Sequence, residues 1–136
     1  MGRILAIDYG KKRVGIAVTD PMKMIAQPLA TIDTSLIFEY LKTYTSKEEV
    51  ELFVLGEPKR LNGEDTDASP LVREFEIKLQ NTFPNIPIKK MDERLTSRMA
   101  KQTLIDAGYK KMDRRNKKLV DTVAAALILQ IYLEIK

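Results

Sequence analysis

Apolar and polar positions follow two periods along this chain, and together they outline an alternating α/β protein. Arg3 to Tyr9 (R-I-L-A-I-D-Y) is a short, nearly continuous apolar run and reads as a strand. Tyr9-Gly10-Lys11-Lys12 supplies a turn, and Val14 to Thr19 is apolar and β-branched, so the two runs predict a hairpin that Asp20-Pro21 ends. Pro28 to Ile32 reads as a third strand. Asp33 or Thr34 is placed to cap a helix reaching Ser46, with Leu36, Ile37, Tyr40, Leu41 and Tyr44 at helical spacing. Glu51 to Gly56 (E-L-F-V-L-G) is a fourth strand, compact enough for burial on both faces.

Glu57 to Ser69 has no hydrophobic period and reads as a polar loop. Pro70 suits the first position of a helix to Phe83. Ile86 to Met91 is a fifth strand, Thr96 to Ala107 a helix closed by Gly108, and Lys117 to Ile135 a last helix. The order β-β-β-α-β-α-β-α-α predicts one domain over residues 1–136. Its sheet is mixed and five-stranded, antiparallel at first and then parallel, with helices packed over it. There is no internal repeat and no linker.

Composition narrows the chemistry. The 136 residues include no cysteine and no histidine. Ser-His-Asp and Cys-His nucleophile systems are therefore excluded, as are thiolate and imidazole zinc centres. Any catalytic metal must be held by oxygen donors, which favours Mg²⁺ or Mn²⁺. The apolar stretch from Leu119 to Leu133 contains Asp121, Thr122 and Gln130 and is too short for a membrane span. The N-terminus runs straight into the first strand, so no secretory signal is expected and the expected location is the cytoplasm.

Net charge is +4, and it is local. Residues 110–118 (K-K-M-D-R-R-N-K-K) carry six basic side chains and one acid, leaving the remainder of the chain at −1. A basic segment on a near-neutral body suits a polyanion. It suits a solvated loop before the last helix equally well.

Carboxylates stand at three places where chemistry gathers. Asp8 closes the first strand at the rim of the sheet; on spacing alone, hydrogen bonding to the Tyr9-Gly10 turn is the simpler explanation. Asp92 and Glu93 follow the fifth strand, at the carboxyl end where functional groups collect in parallel sheets; as acids near a helix start they would also complement the helix dipole. Asp121 sits in L-V-D-T-V-A-A-A-L-I-L-Q-I-Y-L, a helix apolar nearly all round, where an unpaired carboxylate costs several kcal/mol. If the three converge, mutual repulsion calls for a cation, and a divalent metal so held could hydrolyse a phosphodiester.

These residues carry a resemblance. Ala6-Ile7-Asp8-Tyr9-Gly10-Lys11-Lys12-Arg13-Val14-Gly15-Ile16-Ala17, Val54-Leu55-Gly56-Glu57-Pro58 through Gly63, Asp92-Glu93-Arg94-Leu95-Thr96-Ser97 with Ala100, and Asp121 with Ala124-Ala125 and Ile128 to Leu133 are similar to the YqgF family, also called RuvX. That family is described as Holliday-junction resolvases and as pre-16S ribosomal RNA nucleases. The resemblance implies an RNase H-like fold. It also implies a metal site of Asp8, Glu93 and Asp121, with Asp92 the substitute for Glu93, and phosphate contacts from Lys12, Arg13, Arg60, Arg94 and Arg98. Lys110, Lys111, Arg114 and Arg115 extend that basic set.

Two departures stand out. Related resolvases often carry a further acid one turn along the last helix, where this chain has Ala124 and Ala125, so one metal would be held better than two. Glu57 places a charge where an apolar or amide residue is expected. The implied activity is cleavage of precursor rRNA first and of four-way junction DNA second, by a monomer or weak homodimer. Two alternatives compete with it. One is a ribosome assembly factor that holds nucleic acid without cutting it. The other is a nucleotide-binding lobe of the actin and sugar-kinase type, for which 136 residues supply only half the clamp.

Overall fold

The computed structural model describes residues 2–57, 69–92 and 117–135, the last stretch with its side chains from 123 to 134. Five strands form one sheet: β1 (Arg3–Tyr9), β2 (Arg13–Thr19), β3 (Ala26–Asp33), β4 (Val50–Glu57) and β5 (Ile88–Asp92), in the order β3-β2-β1-β4-β5. β1 is central. It pairs antiparallel with β2 and parallel with β4, while β5 is parallel to β4 and β3 antiparallel to β2. The expected mixed sheet is therefore present, antiparallel in its opening strands and parallel afterwards.

The described α-helices are α1 (Ile37–Lys47), α2 (Ser69–Thr82) and α3 (Lys117–Ile135). Strand alternation assigns each a face of the sheet. Leu5, Ile7, Val14, Ile16, Phe53 and Leu55 turn one way and pack with Ile37 and Leu41 of α1 and Val72, Phe75 and Leu79 of α2. Ile4, Ala6, Ala17 and Val54 turn the other way and pack with Ala125, Ile128 and Leu129 of α3. β1 lies beneath both layers, which is why its residues from Ile4 to Ile7 are buried on either side.

Several element ends differ from the sequence reading, each for a local reason. β3 begins two residues earlier and ends one later than Pro28–Ile32, because it pairs along the whole of β2 from Arg13↔Asp33 to Thr19↔Ala26. The register slips between Ile16 and Ala17, which face Ala30 and Pro28, so Leu29 forms a bulge. Neither Asp33 nor Thr34 caps a helix through its side chain; Thr34–Leu36 is a 3₁₀ turn and α1 begins at Ile37. β4 is buried on both faces from Phe53 to Gly56, but before that only Val50 is buried, with Glu51 exposed and Leu52 half-buried. β5 starts at Ile88 and takes in Asp92, two residues later than expected, because its pairing with β4 begins at Phe53↔Ile88. The expected helix over 96–107 lies outside the described residues.

α3 is less buried than its composition suggests. Ala124, Ala125, Ile128 and Leu129 are buried, Leu127 and Ile131 are partly exposed, and Gln130 is exposed. No helix among the described residues is long and apolar enough to cross a membrane.

Candidate active site

The parallel strands β1, β4 and β5 end at a common rim. Their registers run Ile7↔Leu55 and Leu55↔Lys90, and one step further Gly56 faces Met91. Asp8 therefore comes level with Gly56 on β4, while on its other side it pairs directly with Gly15 of β2. Both strand neighbours of the carboxylate lack a side chain. By alternation Asp8 shares the face of Ile4 and Ala6, which is the face that α3 covers. Asp8 is half-buried.

Asp121 belongs to the backbone of α3. In sequence it stands four residues before the buried Ala125. The structure thus places Asp8 and the helix carrying Asp121 on the same side of the sheet. Glu93 lies outside the described residues, as do Arg60, Arg94, Arg98, Lys110, Lys111, Arg114 and Arg115. Among the described residues there is no group of three acids placed to hold a metal.

Asp92 is described, and its parity differs from that of Asp8. Met91 packs into the α3 layer. Its neighbour Asp92 alternates to the face of α1 and α2, level with Glu57. Lys90, of the same parity as Asp92, lies 3.6 Å from a Glu57 carboxylate oxygen and 3.5 Å from one of Glu76 on α2.

The β1–β2 turn sets the position of Asp8 and of the cations after it. A Cβ built at Gly10 would overlap the carbonyl oxygen of Arg13, so the turn closes too tightly for any side chain there. Thr34 braces it from outside the hairpin. Its hydroxyl donates to the Gly10 carbonyl at 2.7 Å, and its backbone N–H donates to the Lys12 carbonyl at 3.0 Å. The residue expected to cap a helix instead fastens the turn. Lys11 and Lys12 are exposed at its tip, and Arg13 is half-buried at the start of β2, cross-strand from Asp33. Gly15, Gly56 and Thr34 were available to sequence reasoning as residue types, but their roles depend on pairing registers that no local pattern specifies.

The other face of the rim is aromatic. Tyr9 stacks on Phe75 with ring centroids 4.3 Å apart, and Phe38 lies 5.3 Å from Phe75. Loss of solvent, reinforced by the charge of Glu74, raises the Tyr9 phenol above its usual pKa of 10.0, so its hydroxyl stays protonated at neutral pH. These rings border a cleft of about 570 Å³ between the Thr34–Leu36 turn and α2. The acids of the expected site gave no hint of it.

Comparison with known proteins sets this geometry in context. A "Putative pre-16S rRNA nuclease" of Porphyromonas gingivalis is 54% identical over 134 residues, covering 98% of this chain and 97% of that protein. A protein of the same name from Flavobacterium psychrophilum is 50% identical over 133 residues, covering 98% and 97%. In solved structures, the fold is similar to T. thermophilus RuvC in complex with a Holliday junction substrate. That match has a TM-score of 0.61 and 14% identity, with 99% of this chain and 96% of the other covered. A second structure of Thermus thermophilus RuvC matches with a TM-score of 0.55. The fold is accordingly RNase H-like, as the sequence resemblance implied. The family model described as "RuvX: Holliday junction resolvase" matches residues 2–135, and the chain belongs to that family.

Proposed function

We propose that this protein is a single-domain, divalent-metal-dependent endonuclease that cleaves structured RNA, with precursor 16S rRNA as its substrate and four-way junction DNA as the second choice. One observation carries the reading. Asp8 ends the central strand between two glycines, on the face covered by the helix that contains Asp121. Glycine beside it means that no side chain of a paired strand competes with a cation or a phosphate there. The names of the relatives and of the family model support a phosphodiester substrate.

Asp8, Glu93 and Asp121 are the proposed ligands and catalytic residues. Strand parity speaks against Asp92 as a ligand, because it alternates away from Asp8. The donors are all oxygen, which fits Mg²⁺ or Mn²⁺. When bound, such an ion supplies Lewis acidity at the phosphate and lowers the pKa of a water. Asp8 would hold its carboxylate at a fixed point of the rim, because the turn after it is tied to Thr34 on two atoms. Lys12 and Arg13, on that same turn, would receive the phosphates on either side of the scissile one. Arg60, Arg94, Arg98, Lys110, Lys111, Arg114 and Arg115 would extend this grip. Ala124 and Ala125 offer no fourth acid on the helix, so a second metal would depend on the substrate phosphate.

The test is cleavage of a precursor 16S rRNA fragment and of a four-way DNA junction, each with Mg²⁺ or Mn²⁺. Metal-dependent RNA cleavage that disappears in Asp8→Asn, with RNA binding retained, supports the reading. Salt-sensitive binding without cleavage by the unaltered protein in either metal overturns it in favour of the assembly-factor alternative.

A further inference from the structure

We propose that the aromatic cleft behind the rim is a binding site for an unpaired base of the RNA strand whose phosphate lies at Asp8. The inference rests on the RNA-cleaving reading and adds to it a second contact on the opposite face of the sheet.

Four observations carry it. The first is adjacency: Asp8 and Tyr9 are consecutive at the end of β1 and alternate to opposite faces, so one rim residue borders the proposed phosphate site and the next borders the cleft. The second is chemistry. Tyr9 and Phe38 are only half-buried at the cleft wall, with Phe75 behind them, and an exposed base finds its stacking partners on such rings. The third is charge. The Lys78 ammonium lies 4.8 Å over the Phe38 ring, and its flexible stem lets it swing off that face to a flanking phosphate as a base replaces it. Ser35 and Asn81 add neutral donors and acceptors, and Glu74 an acceptor for an exocyclic amine. The fourth is rigidity. Thr34 lines the cleft and also holds the Gly10 and Lys12 carbonyls, so the cleft and the hairpin turn are fixed to each other. At about 570 Å³ the cleft has the volume of a small-molecule site and admits one nucleoside.

A strand held at Asp8 would thus fold over the rim and place a flanking base on Phe38 and Tyr9. Such a base must be unpaired, since a paired base cannot present its face to a side chain. The cleft would select a single-stranded flank at the cut, which perfect duplex cannot supply.

Single-stranded RNA oligonucleotides carrying 2-aminopurine at successive positions around the cut test this, with the full-length protein and a chelator to prevent cleavage. One position is expected to be quenched on binding. Phe38→Leu and Lys78→Glu are each expected to relieve the quenching and to weaken binding by about five-fold or more. An abasic residue at that position should weaken the unaltered protein equally, and Phe38→Leu should add nothing further. Lys78 is exposed, so its variant reports even if Phe38→Leu fails to fold. Quenching unchanged in both variants, or an abasic substrate bound as tightly as the intact one, overturns the inference. So does displacement of the base by adenosine monophosphate at the oligonucleotide's own concentration, which would mark a free-nucleotide site. Asp8→Asn should keep the quenching while losing cleavage. Cleavage without quenching defeats the cleft alone, and cleft-dependent quenching without cleavage defeats the nuclease alone.

Discussion

The sheet face under α1 and α2 and the face under α3 are packed from different side chains. The first is filled with bulk: Leu5, Ile7, Ile16, Phe53 and Leu55 from the strands, against Ile37, Leu41, Phe75 and Leu79 from the helices. Phe53 also meets Phe83 edge-on at 5.5 Å. The second mixes sizes: Ala6, Ala17 and Ala125 lie among Ile4, Val54, Ile128 and Leu129, and Gly15 and Gly56 flank Asp8 at its rim. Large interdigitating side chains supply most of the burial free energy. Small ones supply little, but they let a helix lie close to the sheet and leave room at the end of a strand. The first face thus buries the larger side chains, and the second brings small residues to the strand positions beside a carboxylate.

That contrast can be broken in order of expected effect. Asp8→Asn should reduce the rate of RNA cleavage by about 10³-fold or more, with the thermal midpoint unchanged. A parallel loss of stability would mean that Asp8 serves the fold. Phe53→Ala, on the bulky face, should lower unfolding free energy in urea by about 3–5 kcal/mol while the remaining folded protein keeps its cleavage rate. Ala125→Leu, on the second face, should show the reverse balance. Overpacking costs about 1–3 kcal/mol, yet lifting α3 should depress cleavage far more than that loss of stability explains. If Ala125→Leu cleaves normally, α3 does not set the site.

Smaller effects test the connection between the faces. Thr34→Val removes the hydroxyl donated to Gly10 and should cost about 1 kcal/mol, with a larger relative loss in cleavage than in stability. The smallest effect concerns Asp20, at the far end of β2. Its carboxylate accepts the N–H groups of Ile25, Met24 and Met22, which lower its pKa below the usual 3.8. Its contribution to stability is therefore complete well above the usual 3.8 and is lost as pH falls through the lowered value. The difference in thermal midpoint between the unaltered protein and Asp20→Ala should be constant from neutral pH to about pH 5 and shrink below it, with cleavage at neutral pH unaffected.

Much of the fold was legible because its signals are local. The run from Arg3 to Tyr9, the glycine turn, and the β-branched run after it specify a hairpin without help from the rest of the chain. Pro70 marked the start of α2 to within a residue. What was not legible depends on pairing. Residue type at Thr34 reads as a helix cap, yet its hydroxyl serves a carbonyl 24 residues earlier. Asp92 and Glu93 are indistinguishable as acids after a strand, and only the register of β5 on β4 gives Asp92 its face. The aromatic cleft draws Tyr9, Phe38 and Phe75 from three elements whose proximity no spacing rule contains.

The bulge at Leu29 has a bearing on how copies of this protein behave at high concentration. β3 is an edge of the sheet, and an edge strand with regular, free peptide groups is a template for another chain. Here Pro28 has no N–H to offer and the bulge beside it breaks the spacing of the groups that remain. A neighbouring strand would find no continuous ladder to extend. This irregular edge thus works against strand-on-strand assembly along that side.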